Sequence, residues 1–358
     1  MLKVNSIRLT LGKFELKDIT FSASKNDSIV ILGPSGSGKT SLLKTILGIY
    51  SPNEGTIVYR GKDITYLPLN KRQIAYVPQK PTLFPHMTVQ ENLEYALILN
   101  HFPKEEREKR INDILEFMGL EEKRNRLPKN LSGGEAHRIS IARALILDFP
   151  LILLDEPLSG VDRRKAREII KLLKKAKEVY NKTIIYVTHN IGDATELANK
   201  VIILNNGQIE RFATPEDIIE DPKSQFIAEF FNFENIFSGT IYHEENLTFF
   251  IPENANKKIK IFLSDDLKLK PNQKITITIR PEDIILSPKK MDFTSARNCF
   301  EGKVVEIIEN LSSNVKVVLD CGIEITSVIT RTSKRKLDIK KGKEICAIFK
   351  ASSVYIID

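Results

Sequence analysis

At 358 residues the chain is too long for one ordinary domain and comfortable for two. Its apolar fraction of 42% and charged fraction of 28% belong to a globular protein with a buried core, which excludes a disordered or low-complexity chain. The net charge of +8 (54 Lys and Arg against 46 Asp and Glu) is spread along the chain, with no basic cluster of the nucleic-acid-binding kind.

The N-terminal stretch MLKVNSIRLTLGKFELKD has no apolar core and so does not read as a signal peptide. Ser28 to Leu32 (SIVIL), Leu151 to Leu154 (LILL) and Thr183 to Val187 (TIIYV) are short apolar runs bounded by turn signals. Such runs suit strands buried on both faces of a parallel sheet. Helical patterns begin at Thr40 and run from Val161 to Tyr180, and the region 89–147 reads as a mainly helical lobe. Alternating strands and helices predict an α/β layer fold. After about Phe233 the pattern changes to alternating strand-like pieces, ITITI from Ile275, KVVEII from Lys303, VKVVL from Val315 and EICAIF from Glu344. These predict a smaller all-β, barrel or OB-like unit. The division expected is therefore 1–235 and 236–358, with FFNFENIF at the junction. Cys299, Cys321 and Cys346 are odd in number and form no C-x-x-C pair, so buried thiols in a reducing compartment are expected. No run approaches the roughly 18 apolar residues needed to cross a bilayer. A cytoplasmic chain is expected, with any membrane role supplied by a partner.

Gly33, Pro34, Ser35, Gly36, Ser37, Gly38, Lys39 and Thr40 match G-x-x-x-x-G-K-[ST], between a predicted strand and a predicted helix. Glycines let successive backbone N–H groups turn inward as an anion nest, and the helix start adds partial positive charge. Lys39 supplies a cation to the β- and γ-phosphates, the Thr40 hydroxyl faces Mg²⁺, and Ser41 follows in the same turn. A second pattern, LILLDEP, ends a strand in two carboxylates. Asp155 is expected to hold Mg²⁺ and Glu156 to polarise the attacking water, the division that phosphoryl transfer needs. In a third, LSGGE, Ser132, Gly133 and Gly134 open a helix and offer another anion site.

These patterns in this order resemble the ABC transporter ATPases, over residues 1 to about 235. The resemblance implies ATP and Mg²⁺ as ligands and a homodimer in which the LSGG segment completes the partner's site. It assigns Gln79, in YVPQ, to a loop linking Mg²⁺ and water to the membrane partner. It assigns Ser159 to Asp162 (SGVD) to a dimer contact and His189, in THN, to the γ-phosphate. Two permease subunits, an extracytoplasmic binding protein and a peripheral place on the cytoplasmic membrane face are implied with it, and no nucleic acid. The sequence departs from the family in four places. Leu11 is aliphatic where an aromatic residue commonly stacks on adenine, so Phe14 is the substitute expected. Glu135, Gly160 and Asn190 replace the commoner Gln, Ala and Asp.

TSARNCFEGKVVEI from Thr294 and KASSV from Lys350 resemble the molybdate-binding Mop domain, across about 292–358. That resemblance implies molybdate or tungstate as a regulatory ligand. A tetrahedral oxyanion needs hydroxyl and N–H donors with a cation nearby. Ser295, Arg297, Lys350, Ser352 and Ser353 are the candidates, and such sites commonly form between two chains. The whole then resembles the ATP-binding subunit of molybdate/tungstate importers. An importer of sulfate, ferric iron, polyamine or sugar, with a tail that only dimerises, stays open.

Overall fold

A computed structural model of the chain describes residues 1–231, 233–244, 247–255, 259–264, 267, 269–290, 295–309 and 314–357. The chain forms two compact units, Met1–Glu216 and Asp217–Asp358. The expected start of the Mop-like region at 292–294 lies outside the described residues.

The first unit opens with β1 (Leu2–Leu11), β2 (Phe14–Ala23), β3 (Ser28–Leu32), α1 (Lys39–Leu47), β4 (Glu54–Tyr59), β5 (Lys62–Asp63) and β6 (Ile74–Val77). The helical lobe follows as α2 (Val89–Leu99), α3 (Lys104–Met118) and α4 (Gly133–Leu145). The unit continues with β7 (Leu151–Asp155), α5 (Arg163–Val179), β8 (Thr183–Val187), α6 (Ile191–Leu197), β9 (Lys200–Asn205) and β10 (Gln208–Ala213).

Every residue of β3, β7 and β8 is buried, as unbroken Ile, Val and Leu runs require. They lie in a six-stranded sheet of order β10-β9-β3-β8-β7-β6, parallel except for β10. β1, β2, β4 and β5 form a separate antiparallel sheet. Leu2, Ile7 and Leu16 share one core with Leu43 and Ile46 of α1 and with Leu153, Ile185 and Leu204 of the parallel sheet. α5 buries Ile169, Ile170, Leu173 and Ala176, a single helical stripe, and Asp162 caps it by accepting from Arg164 N at 2.9 Å. In the helical lobe the buried faces are Val89, Leu93 and Leu97, then Ile111, Ile114 and Leu115, then Ile141 and Leu145.

After α7 (Pro215–Glu220) and α8 (Gln225–Phe230), the second unit contains β11 (Asn235–Glu244), β12 (Leu247–Pro252), β13 (Ile261–Phe262), β14 (Lys274–Ile279) and β15 (Ile285–Ser287). It closes with β16 (Asn298–Glu309), β17 (Asn314–Asp320), β18 (Glu324–Thr330), α9 (Arg331–Lys336), β19 (Glu344–Phe349) and β20 (Val354–Ile357). Two five-stranded antiparallel sheets result, β13-β12-β11-β14-β20 and β15-β19-β16-β17-β18. One core joins them, with Ile241, Phe250 and Ile277 against Val304, Val317 and Phe349. β20 leaves the Mop-like stretch to pair with β14, so that stretch is not a closed body of its own. Two buried asparagines fasten the arrangement. Asn235 Nδ2 donates to Ile279 O and Thr326 O, and its Oδ1 accepts from Thr326 N. Asn298 pairs likewise with Phe262 N and O, which gives the Asn of SARN a backbone-bridging role.

Candidate active site

The phosphate loop joins the end of β3 to α1, and its backbone explains its glycines. Gly36 and Gly38 have φ of +83° and +102°, a region other residues rarely adopt. A Cβ at Gly38 would lie 2.4 Å from Phe14 Cζ, and one at Gly33 would lie 2.0 Å from Leu204 O. Gly38 is also the N-cap of α1 and brings no side chain to its first N–H groups. The first N–H groups of a helix have no partner within it, and these are the donors an anion cradle uses. Lys39 Nζ donates to Gly33 O and Pro34 O at 2.9 and 2.8 Å. Burial pulls its pKa below the usual lysine value, and the charges of Glu156 and Asp155 work against that pull.

β7 ends beside this loop. Asp155 is buried; its Oδ1 accepts from Thr40 Oγ1 at 2.8 Å and its Oδ2 from the Tyr76 hydroxyl at 3.1 Å. Burial, then the Asp155 charge, pushes the Tyr76 phenol up, so it remains a donor. Glu156 follows with φ of +45°, and its N–H donates to Val187 O at the end of β8. That kink turns its carboxylate away from Asp155 and toward Gln79 and His189. Gln79 Nε2 lies 3.3 Å and His189 Nδ1 3.4 Å from Glu156 Oε2. Gln79 Nε2 also reaches Ser159 Oγ at 3.4 Å. A cleft of about 450 Å³ over the loop is lined by Leu11, Phe14, Ser35, Lys39, Ser41 and Glu156.

Gln79, Glu156 and His189 thus meet in one cluster beside Lys39, Thr40 and Asp155. Ser132, Gly133 and Gly134 start α4, and among the described residues no hydrogen bond joins them to the phosphate loop. Ser132 Oγ accepts from Glu135 N at 3.4 Å, and Glu135 returns a bond from Ser132 N at 2.7 Å. The Ser132 N–H, with burial opposing and Lys123 assisting, brings the Glu135 carboxyl down to about 2. In the second unit, the pairing of Asn298 with Phe349 carries Arg297 and Lys350 to the same end of β16 and β19. Ser295, Arg297, Lys350 and Ser352 are exposed and Ser353 half-buried. Tyr76, Tyr186 and Asp193 are site-supporting residues that sequence motifs do not single out.

Thr40 Oγ1 and Asp155 Oδ1 are hard oxygen donors held together, a set that fits Mg²⁺. The glycine cradle fits the phosphates it would serve. Holding phosphate, holding a hard cation and orienting water are tasks that one chemistry needs together. The fold brings them together at the carboxyl end of a parallel sheet, and this makes the chain a phosphate-loop ATPase.

Comparison with known proteins narrows the class. Residues 16–159 match the ABC transporter family model, and residues 294–356 match the TOBE domain. The chain is 38% identical to the molybdate/tungstate import ATP-binding protein WtpC of Pyrococcus horikoshii, over 99% of both chains. It is 37% identical to the spermidine/putrescine import ATP-binding protein PotA of Clostridium novyi, over 76% of this chain and 77% of that one. A solved dimeric ATP-binding cassette, in a post-hydrolysis state with ADP and Pi, is 33% identical with a TM-score of 0.54, over 60% of this chain and 99% of that one. The chain belongs to the ABC transporter family, as an ATP-hydrolysing subunit with a C-terminal TOBE domain. Among the described residues no helix is long and apolar enough to cross a membrane.

Proposed function

We propose that this chain powers import of molybdate or tungstate through a membrane ABC transporter, and that the oxyanion acts back on the second unit. The observation that carries the reading is that the likeness to WtpC runs through the TOBE region to 99% of both chains. The PotA relatives match 76–81% of this chain.

Two copies close head to tail on two ATP molecules. The N–H groups of the 33–38 loop and Lys39 hold the β- and γ-phosphates, and Phe14 carries the adenine. Thr40, Asp155 and Gln79 would hold Mg²⁺, which when bound neutralises charge on the transferring phosphoryl group. Glu156 accepts a proton as water attacks the γ-phosphorus; the bond to the β-bridging oxygen breaks, leaving ADP and phosphate. His189 steadies the γ-phosphate oxygens. Ser132, Gly133 and Gly134 of the second copy present the start of α4 to the same phosphate, with Asp162 at the dimer contact. Closure reaches two permease subunits through Gln79 and residues 81–100, and these receive cargo from an extracytoplasmic binding protein. The chain sits peripherally on the cytoplasmic membrane face and has no nucleic-acid role. Ser295, Arg297, Lys350, Ser352 and Ser353 hold the regulatory oxyanion.

Uptake by vesicles carrying the assembled transporter tests this. Tungstate or molybdate should enter with ATP and stop with Lys39→Ala. Entry of spermidine or sulfate in its place would assign the cargo to another importer class.

A further inference from the structure

His189 is an exposed member of the cluster. Its side chain is 66% exposed, and the contact that holds it is with Glu156 Oε2. Such a ring takes its direction from its backbone, and that backbone is fastened on both sides. Thr188 N donates to Ile31 O at 3.2 Å, and Thr188 Oγ1 accepts from Asn190 N at 3.0 Å. The same hydroxyl donates to Asp193 Oδ2 at 3.2 Å. Tyr186, 1% exposed on β8, donates its hydroxyl to that oxygen at 2.9 Å. One carboxylate oxygen therefore gathers the strand before His189 and the turn that contains it. Asn190 sets Asp193 in place, since it caps α6 by accepting from Gly192 N at 2.9 Å.

We propose that Asp193 is a positioning residue for hydrolysis. With Tyr186 and Thr188 it fixes the 188–190 backbone so that the His189 ring stands against Glu156. The effect is on geometry, through the hydrogen bonds by which Asp193 holds Tyr186 and Thr188, the residues that lead into His189. A misplacement of about 1 Å at a reacting group costs on the order of a hundredfold in rate. Burial holds the Asp193 carboxyl above the usual carboxylate range, against the opposing pull of the Tyr186 and Thr188 hydroxyls and of His189. This inference rests on the roles of His189 and Glu156 proposed above.

The test is steady-state ATP hydrolysis by the full chain with Asp193→Ala, His189→Ala and the pair. Asp193→Ala should lower kcat about tenfold or more, with KM for ATP within about twofold. Added to His189→Ala it should cause no further loss, because residues acting through one group are not additive. Asp193→Asn, whose amide oxygen can accept from both hydroxyls, should recover most of the rate. Tyr186→Phe should lower kcat in the same direction without changing KM, and it serves if Asp193→Ala fails to fold. Unchanged kcat in Asp193→Ala, or losses that multiply in the pair, would overturn the proposal. If His189→Ala itself hydrolyses at the parent rate, the reading of His189 fails first.

Discussion

Phe14 is the residue proposed to answer for a missing one. Leu11 and Phe14 face each other across the β1–β2 turn, and both line the cleft above the phosphate loop. Gly38 is small because the Phe14 ring lies where a Cβ would be. Stacking of an aromatic ring on a base contributes about 1–3 kcal/mol, so Phe14→Ala should raise KM for ATP about tenfold. The value of kcat should stay within about twofold, since the reacting groups are untouched. A fall in kcat at constant KM, measured by steady-state hydrolysis, would remove Phe14 from base binding. The phosphate loop and the Asp155–Glu156 pair were legible because residue type and spacing already state their chemistry. Tyr76 and Asp193 were not. A tyrosine in a strand and an acid in a helix acquire meaning only when Tyr76 meets Asp155 across β6 and β7, and Asp193 meets Tyr186.

Among the elements, α4 carries one of the departures from the family pattern. Glu135 replaces the commoner Gln and completes a capping box with Ser132, reinforced by Lys123 at 3.1 Å. A carboxylate in the first turn also suits the positive end of the helix. Glu135→Gln keeps the box geometry and loses the charge, so stability at neutral pH should fall by about 0.5–1 kcal/mol. The folded-state value of about 2 lies below the ordinary 4.5. The carboxylate's contribution is therefore fully present above 4.5 and lost as pH falls toward 2. Urea unfolding of both proteins across that window should show the difference shrinking. A gap that does not change with pH would mean the charge is not its source. Strands buried on both faces were legible from their apolar runs, but β1 was not. A bulge between Val4 and Ile7, with Ser6 at φ +46°, breaks the alternation that would mark it.

In the whole molecule, the composition change near Phe233 marks the first strand of a β-sheet. The chain itself divides at 216/217. Phe233 belongs with Ala228 and Ile357 in a small cluster, and Asn235 is buried against β14 and β18, so FFNFENIF lies inside the second unit. That unit places Arg297 and Lys350 at one strand end, with serines on both sides of them in sequence. Two cations and several hydroxyls suit a dianion better than a neutral or cationic cargo, which makes the second unit the place to separate oxyanion from polyamine. A ligand that binds only the folded state at about 100-fold over its Kd adds about 2.7 kcal/mol, which a thermal melt resolves. Tungstate or molybdate should therefore raise the melting temperature of the purified chain without nucleotide. Sulfate should do so less and spermidine not at all. Arg297→Ala should remove the tungstate shift, because a guanidinium is the stronger partner for paired oxygens. If tungstate gives no shift with the parent chain, the second unit does not bind the oxyanion. Feedback by cargo would then fail, while the ATP site, built entirely in the first unit, would stand.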